Sequence, residues 1–262
     1  MIFFMYRLSV TSFSVARVLM ALAVFFCHVF EPFNTFGFLF VGVFFFMSGY
    51  GMEYGRRRLS ALTRLVPLLF FFLLFSLVYW LRFSVFIYPT SWFLVVYFVV
   101  MLIYRFVSNR YFLFLSFLFL SFFFYLFDFN WVWYASFGAF YFGFLFARFP
   151  RSFTLTRCLF ITPLFLPLYL TGYSSFLWFL LPLFSYFVLS VSSLSFLRFL
   201  SVFAPYTFFF YCIHCFFLGL FGSTWTLGGS PEFWSVLLSF LLSVFFSIFF
   251  KDYLFKYAKF FR

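Results

Sequence analysis

Charge is what this chain has least of, and acid above all: five Asp and Glu stand against 17 Lys and Arg, and charged residues make up 8% of 262 positions. Soluble domains carry roughly a quarter charged residues, so a water-soluble globular fold is excluded. Histidine is scarcer still, with two residues, and cysteine stops at four. Cys27, Cys158, Cys212 and Cys215 all fall in apolar stretches, which argues against a disulfide framework and for small buried apolar side chains. No segment repeats at a fixed period, and no polar stretch is long enough for a soluble domain. A cleavable signal peptide is not expected either. The opening MIFFMYRLSV leads into the first apolar run without a small-residue cleavage site.

What fills the chain is apolar: 67% hydrophobic residues, with 62 Phe among them. Phe stands where Leu usually faces lipid, so most of these aromatics are solvation of the bilayer rather than function. The expected fold is all-α: a polytopic membrane helix bundle of about ten transmembrane helices, each near the length a bilayer requires. The breaks at charge clusters and Pro/Gly/Ser/Asn stretches put them over 13–31, 35–52, 65–88, 91–108, 111–128, 131–147, 158–172, 175–195, 203–222 and 233–254. They form a single domain over 1–262. The segment 158–172 is short and carries Pro163 and Pro167, which kink or interrupt a helix.

A net charge of +12 in a soluble protein raises nucleic acid as a partner. Here the cations lie between apolar segments, so they report topology, and the partner is the lipid bilayer, with no nucleic acid. With the N-terminus inside, the inner ends collect Arg7, Arg17, Arg56, Arg57, Arg58, Arg64, Arg105, Arg110, Arg148, Arg151, Arg157, Arg198, Lys251, Lys256, Lys259 and Arg262. Only Arg82 falls outside, together with Glu31, Asp128 and Glu232. An even span count with both termini cytoplasmic follows, in a multi-pass protein of the cell membrane.

Arg17 and His28 stand eleven residues apart in SFSVARVLMALAVFFCHVF. Eleven residues make roughly three helical turns, so both side chains lie on one face, ~16 Å apart along the axis. Ionisable residues inside a membrane are costly and are functional candidates by default. A neutral imidazole is cheaper to bury than a charge and can take a proton from a hydroxyl. Arg17 is a permanent cation near the inner mouth, suited to a phosphate or to snorkelling among headgroups. Glu31 lies one turn beyond His28, and Pro32 after it favours a helix boundary. Ser48, Gly49 and Gly51 interrupt the apolar run VFFFMSGYGMEY, for close helix packing or for an opening beside a substrate path. Arg56, Arg57, Arg58 and Arg64, four cations within nine positions, are explained in part by topology alone and also suit a seat for a phosphate-bearing donor. Cys212 and Cys215 flank His214 in YCIHC, a spacing that raises a metal, but no second half is visible and no metal is expected.

Together these residues resemble the acyltransferase-3 family of multi-spanning membrane acyltransferases. The resemblance rests on the Arg17 to His28 motif, FFFMSGYG at 44–51, RLVP at 64–67 after the arginines, and PTSWFLVVYF at 89–98 with Trp92 opening a span. APYTFFFYCIH at 204–214 is similar to a late element ending in His. Ser14 stands where the family usually carries Asp, and Ala61 where it often carries a basic residue. The resemblance implies transfer of an acyl group, commonly acetyl, from cytoplasmic acyl-CoA to a hydroxyl of a glycan or lipid-linked sugar. No bound cofactor is implied; acyl-CoA is the donor substrate. His28 and Arg17 take the catalytic positions, Arg57, Arg58 and Arg64 bind the donor, and Ser48, Trp92 and His214 support them. Two other classes account for intramembrane polar residues without chemistry: a transporter or flippase of the same substrates, and an assembly protein.

Overall fold

In the helix Phe233–Phe249 the usual amphipathic arrangement is reversed. Ser239, Ser243 and Ser247 are buried, while Phe233, Trp234, Leu238, Leu241 and Phe245 are exposed. Polar-inward, apolar-outward helices suit a hydrocarbon solvent, where small residues let helices approach and large apolar ones meet lipid. The structure, a computed structural model, describes residues 9–54, 92–107, 109–127, 132–148, 180–222 and 232–254, with scattered positions between 70 and 77 and between 156 and 159.

The described residues are helical throughout and contain no strand. In chain order they form α1 (Val10–Val29), α2 (Glu31–Tyr54), α3 (Trp92–Phe106), α4 (Arg110–Leu126), α5 (Val132–Arg148) and α6 (Leu181–Ser192). A 3₁₀ helix follows over Ser195–Tyr206, then α7 (Thr207–Leu220), α8 (Phe233–Phe249) and a π turn over Phe250–Leu254. Four stretches are long and apolar enough to cross a membrane: Val10–Val29, Phe36–Glu53, Ser195–Leu220 and Phe233–Tyr253. The described residues are thus all-helical, and their long apolar helices are those of a membrane protein. Among the described residues the spans of full length number four, against the ten expected. Those expected over 65–88 and 158–172 fall largely outside the described residues.

Prolines mark the helix starts. Pro32 is the second residue of α2 and Pro182 the second of α6, positions where a missing N–H leaves no hydrogen bond unmade. This corrects the first boundary: α1 ends at Val29, and Glu31 opens α2 instead of extending the helix of His28. Where the expected spans leave a loop at 196–202, the structure has the 3₁₀ helix. Phe196, Phe199 and Val202, spaced by three and all exposed, eclipse one another on a helix of three residues per turn.

The contacts cluster into two compact units. The first comprises Met1–Cys27, Pro32–Arg56 and Phe114–Ala204. Its tightest crossing is between α2 and α5. A methyl group on Gly49 would overlap the carbonyl oxygen of Phe140, and one on Gly143 would overlap that of Phe46. Two glycines thus bring the backbones together, and Phe46 packs beside the crossing on Phe142, with ring centroids 4.8 Å apart. The second unit comprises His28–Glu31, Arg57–Leu113 and Pro205–Arg262. Here α7 and α8 pair closely. Ser239 Oγ donates to the carbonyl of Ser235 at 2.7 Å on its own helix and lies 3.3 Å from that of Phe217 on α7. Phe217 and Phe246 bring their rings to 5.3 Å across the same pair. At the end of α8, Asp252 accepts from Lys251 Nζ at 2.8 Å and from the Tyr206 hydroxyl at 3.1 Å.

Candidate functional site

The two histidines of the chain come together within the second unit. His28 occupies the last turn of α1 and His214 the middle of α7, and their rings stand 5.5 Å apart, tilted by 43°. Ionisable side chains in apolar helices are costly to place, and here two of them face each other.

His214 is held from several sides. Its Nδ1 lies 3.1 Å from the carbonyl oxygen of Phe210, one turn earlier on α7. A carbonyl only accepts, so Nδ1 carries the proton and Nε2 presents a lone pair. That lone pair faces Cys215 Sγ at 3.1 Å, placing the thiol as donor. The Phe210 ring stacks on the imidazole at 5.6 Å, and Tyr211 meets it edge-on at 5.5 Å. The ring therefore has one tautomer and one orientation.

His28 differs. Its Nδ1 is shut off from solvent and has no hydrogen-bond partner among the described residues. A buried polar atom left unsatisfied costs about 1–3 kcal/mol. Native structures keep few of these, and most answer to a function. One ligand-capable atom each from His28, His214 and Cys215 lies within 4.8 Å of the other two. Cys212, the other thiol of YCIHC, is buried on α7 but lies outside this group.

Arg17 lies in the first unit, half-buried on α1. It meets the small-residue run of α2: a methyl group on Gly51 would stand 3.9 Å from Arg17 Nη2. Phe13, one turn earlier, stacks on Tyr50 at 4.8 Å, so two successive turns of α1 lean on the SGYG segment. The two glycines of that segment have different work. Gly49 permits the α5 crossing, whereas a methyl group on Gly51 would meet the guanidinium at ordinary contact distance. Ser48 sits between them and Phe46, half-buried on α2. Trp92 is the first residue of α3, a helix of 15 residues. Arg57, Arg58 and Arg64 lie outside the described residues.

Sequence reasoning singled out both histidines but not their meeting, and it left Cys215 unused. The available signal was scarcity: a chain with two histidines, both in apolar helices, favours a fold in which they share a partner. Comparison with family models, curated proteins and solved structures gives no match to this chain.

Proposed function

We propose that the chain is a membrane-embedded acyltransferase, moving an acyl group, commonly acetyl, from cytoplasmic acyl-CoA to a hydroxyl of a glycan or lipid-linked sugar. The observation that carries this reading is His28 Nδ1, a buried nitrogen of a half-buried imidazole on an apolar helix, unpartnered among the described residues. Such a nitrogen suits a general base, which must be neutral, dry and within reach of a hydroxyl proton. Arg17 belongs to the same unbroken helix, eleven residues nearer the N-terminus, beside the SGYG segment. The motif resemblance supports the same reading.

In this reaction the acceptor hydroxyl oxygen attacks the thioester carbonyl while His28 takes its proton. The tetrahedral oxyanion collapses with cleavage of the carbon–sulfur bond. The departing CoA thiolate recovers the proton from the imidazolium, so His28 ends neutral. Arg17, with Arg57, Arg58 and Arg64, binds the donor phosphates from the cytoplasmic side. His214 supports the His28 ring through their contact. The donor side sets the orientation: both termini cytoplasmic, about ten spans in the cell membrane, and the acceptor reached from the outer face.

The test is purified protein incubated with acetyl-CoA labelled in the acetyl group and a surface-glycan acceptor. Label should move to the acceptor, and His28→Ala should lower the rate by about 100- to 10,000-fold at unchanged protein level. Full transfer by that variant refutes the base role. Binding of donor without turnover in the wild type refutes the enzyme and favours a carrier.

A further inference from the structure

YCIHC was set aside as a metal site because it offered half a ligand set. In the fold, His28 stands where the missing donor is required. We propose that His28, His214 and Cys215 bind a single monovalent copper ion, a role that does not depend on acyl transfer.

Three observations carry this. The ligand atoms of the three residues already lie within 4.8 Å of one another. Bond lengths near 2.0 Å to nitrogen and 2.3 Å to sulfur put ligand atoms roughly 3.5–3.8 Å apart around a three-coordinate ion, so small side-chain rotations close the site. His214 has the support typical of a metal-bound imidazole: Nδ1–H donates to the Phe210 carbonyl at 3.1 Å, and Nε2 points at the shared space beside Cys215 Sγ. A ring nitrogen of His28 belongs to the same group, and its Nδ1 is buried without a partner among the described residues.

The identity of the ion follows from ligand softness and charge. A thiolate with two imidazoles selects Cu(I) or Zn(II) among common first-row ions. Binding displaces the Cys215 thiol proton to solvent, one proton per ion. A thiolate then cancels the single charge of Cu(I), whereas Zn(II) leaves a net positive charge in an apolar helix pair. Uncompensated charge in low dielectric is strongly unfavourable, so the monovalent ion is selected. The same nitrogen of His28 cannot hold copper and accept a proton, so the copper-loaded protein is a state in which His28 is not a base.

The test uses the full-length protein in detergent, loaded anaerobically with Cu(I) in competition with a chromophoric Cu(I) chelator. One copper per chain is expected, with an X-ray absorption spectrum fitted by one sulfur and two nitrogen ligands. Cys215→Ser and His28→Gln should each weaken binding at least about 100-fold. Cys158→Ser, a buried thiol outside the group, should retain one copper and the elution profile of the wild type. Substoichiometric copper in the wild type, or copper retained by Cys215→Ser, overturns the site. Tight Zn(II) binding in place of Cu(I) overturns the choice of ion. Since copper content and ligand shell are read without turnover, loss of acyl transfer alone leaves this result intact.

Discussion

His28 and His214 occupy one small space, yet their nitrogens have opposite circumstances. The Nδ1 of His214 is engaged by a backbone carbonyl and its Nε2 by a thiol, whereas the Nδ1 of His28 has no partner among the described residues. In the proposed reaction the fixed ring is the support and the ring with the unpartnered nitrogen is the base. Arg17 is of another kind. Half-buried on α1, its side chain ends beside Gly51 of α2, and arginine presents a planar donor fork. Lysine cannot reproduce that planar fork toward phosphate. Arg17→Lys should therefore raise KM for acetyl-CoA about tenfold while kcat changes less, since a donor-phosphate contact is made in ground and transition states alike. Steady-state kinetics over donor concentration check this. A kcat defect at unchanged KM would move Arg17 to the reacting carbonyl.

At the scale of elements, the SGYG segment is where α1, α2 and α5 of the first unit depend on small residues. Gly49 and Gly143 face opposite carbonyls, so any side chain there drives two backbones apart. Gly49→Ala should destabilise the protein by at least ~1–3 kcal/mol, the usual cost of overpacking a core. Gly51→Ala meets only the end of Arg17 at ordinary contact distance and should be neutral or stabilising, by up to ~1 kcal/mol, as alanine replaces glycine in a helix. Thermal denaturation of the two variants in detergent separates them; equal midpoints would contradict the crossing. Sequence alone offered two readings of these glycines, close packing or an opened helix. Nothing in MSGYGMEY distinguishes them, because the answer lies in Phe140 and Phe144, about ninety residues away in sequence. The helical class was legible, because long unbroken apolar runs such as WFLVVYFVVMLIY suit a helix in a bilayer, although among the described residues four helices have full spanning length. Their ends were less so. The expected spans put Glu31 in the helix it follows and broke the chain at 196–202, whereas Glu31 opens α2 and a 3₁₀ helix runs through Ser195–Tyr206.

For the molecule as a whole, hydropathy carried the class and scarcity carried the site. Four full-length apolar helices and the reversed amphipathicity of α8 match a chain in which acids number five. The contact of His28 with His214 joins residues 186 positions apart, a pairing that no spacing rule reaches. The distribution of arginine and lysine gives the proposed reaction its direction, from a cytoplasmic donor to an outward-facing hydroxyl. A reporter joined to the C-terminus should accordingly be active only on the cytoplasmic side. The most direct measurement reconstitutes the protein in vesicles, with acetyl-labelled acetyl-CoA on the side of the C-terminus and the glycan acceptor on the other. The account predicts label on the acceptor with wild-type protein and none above background with His28→Ala. Equal labelling by both proteins, or intact donor with no labelled acceptor in the wild type, would contradict it.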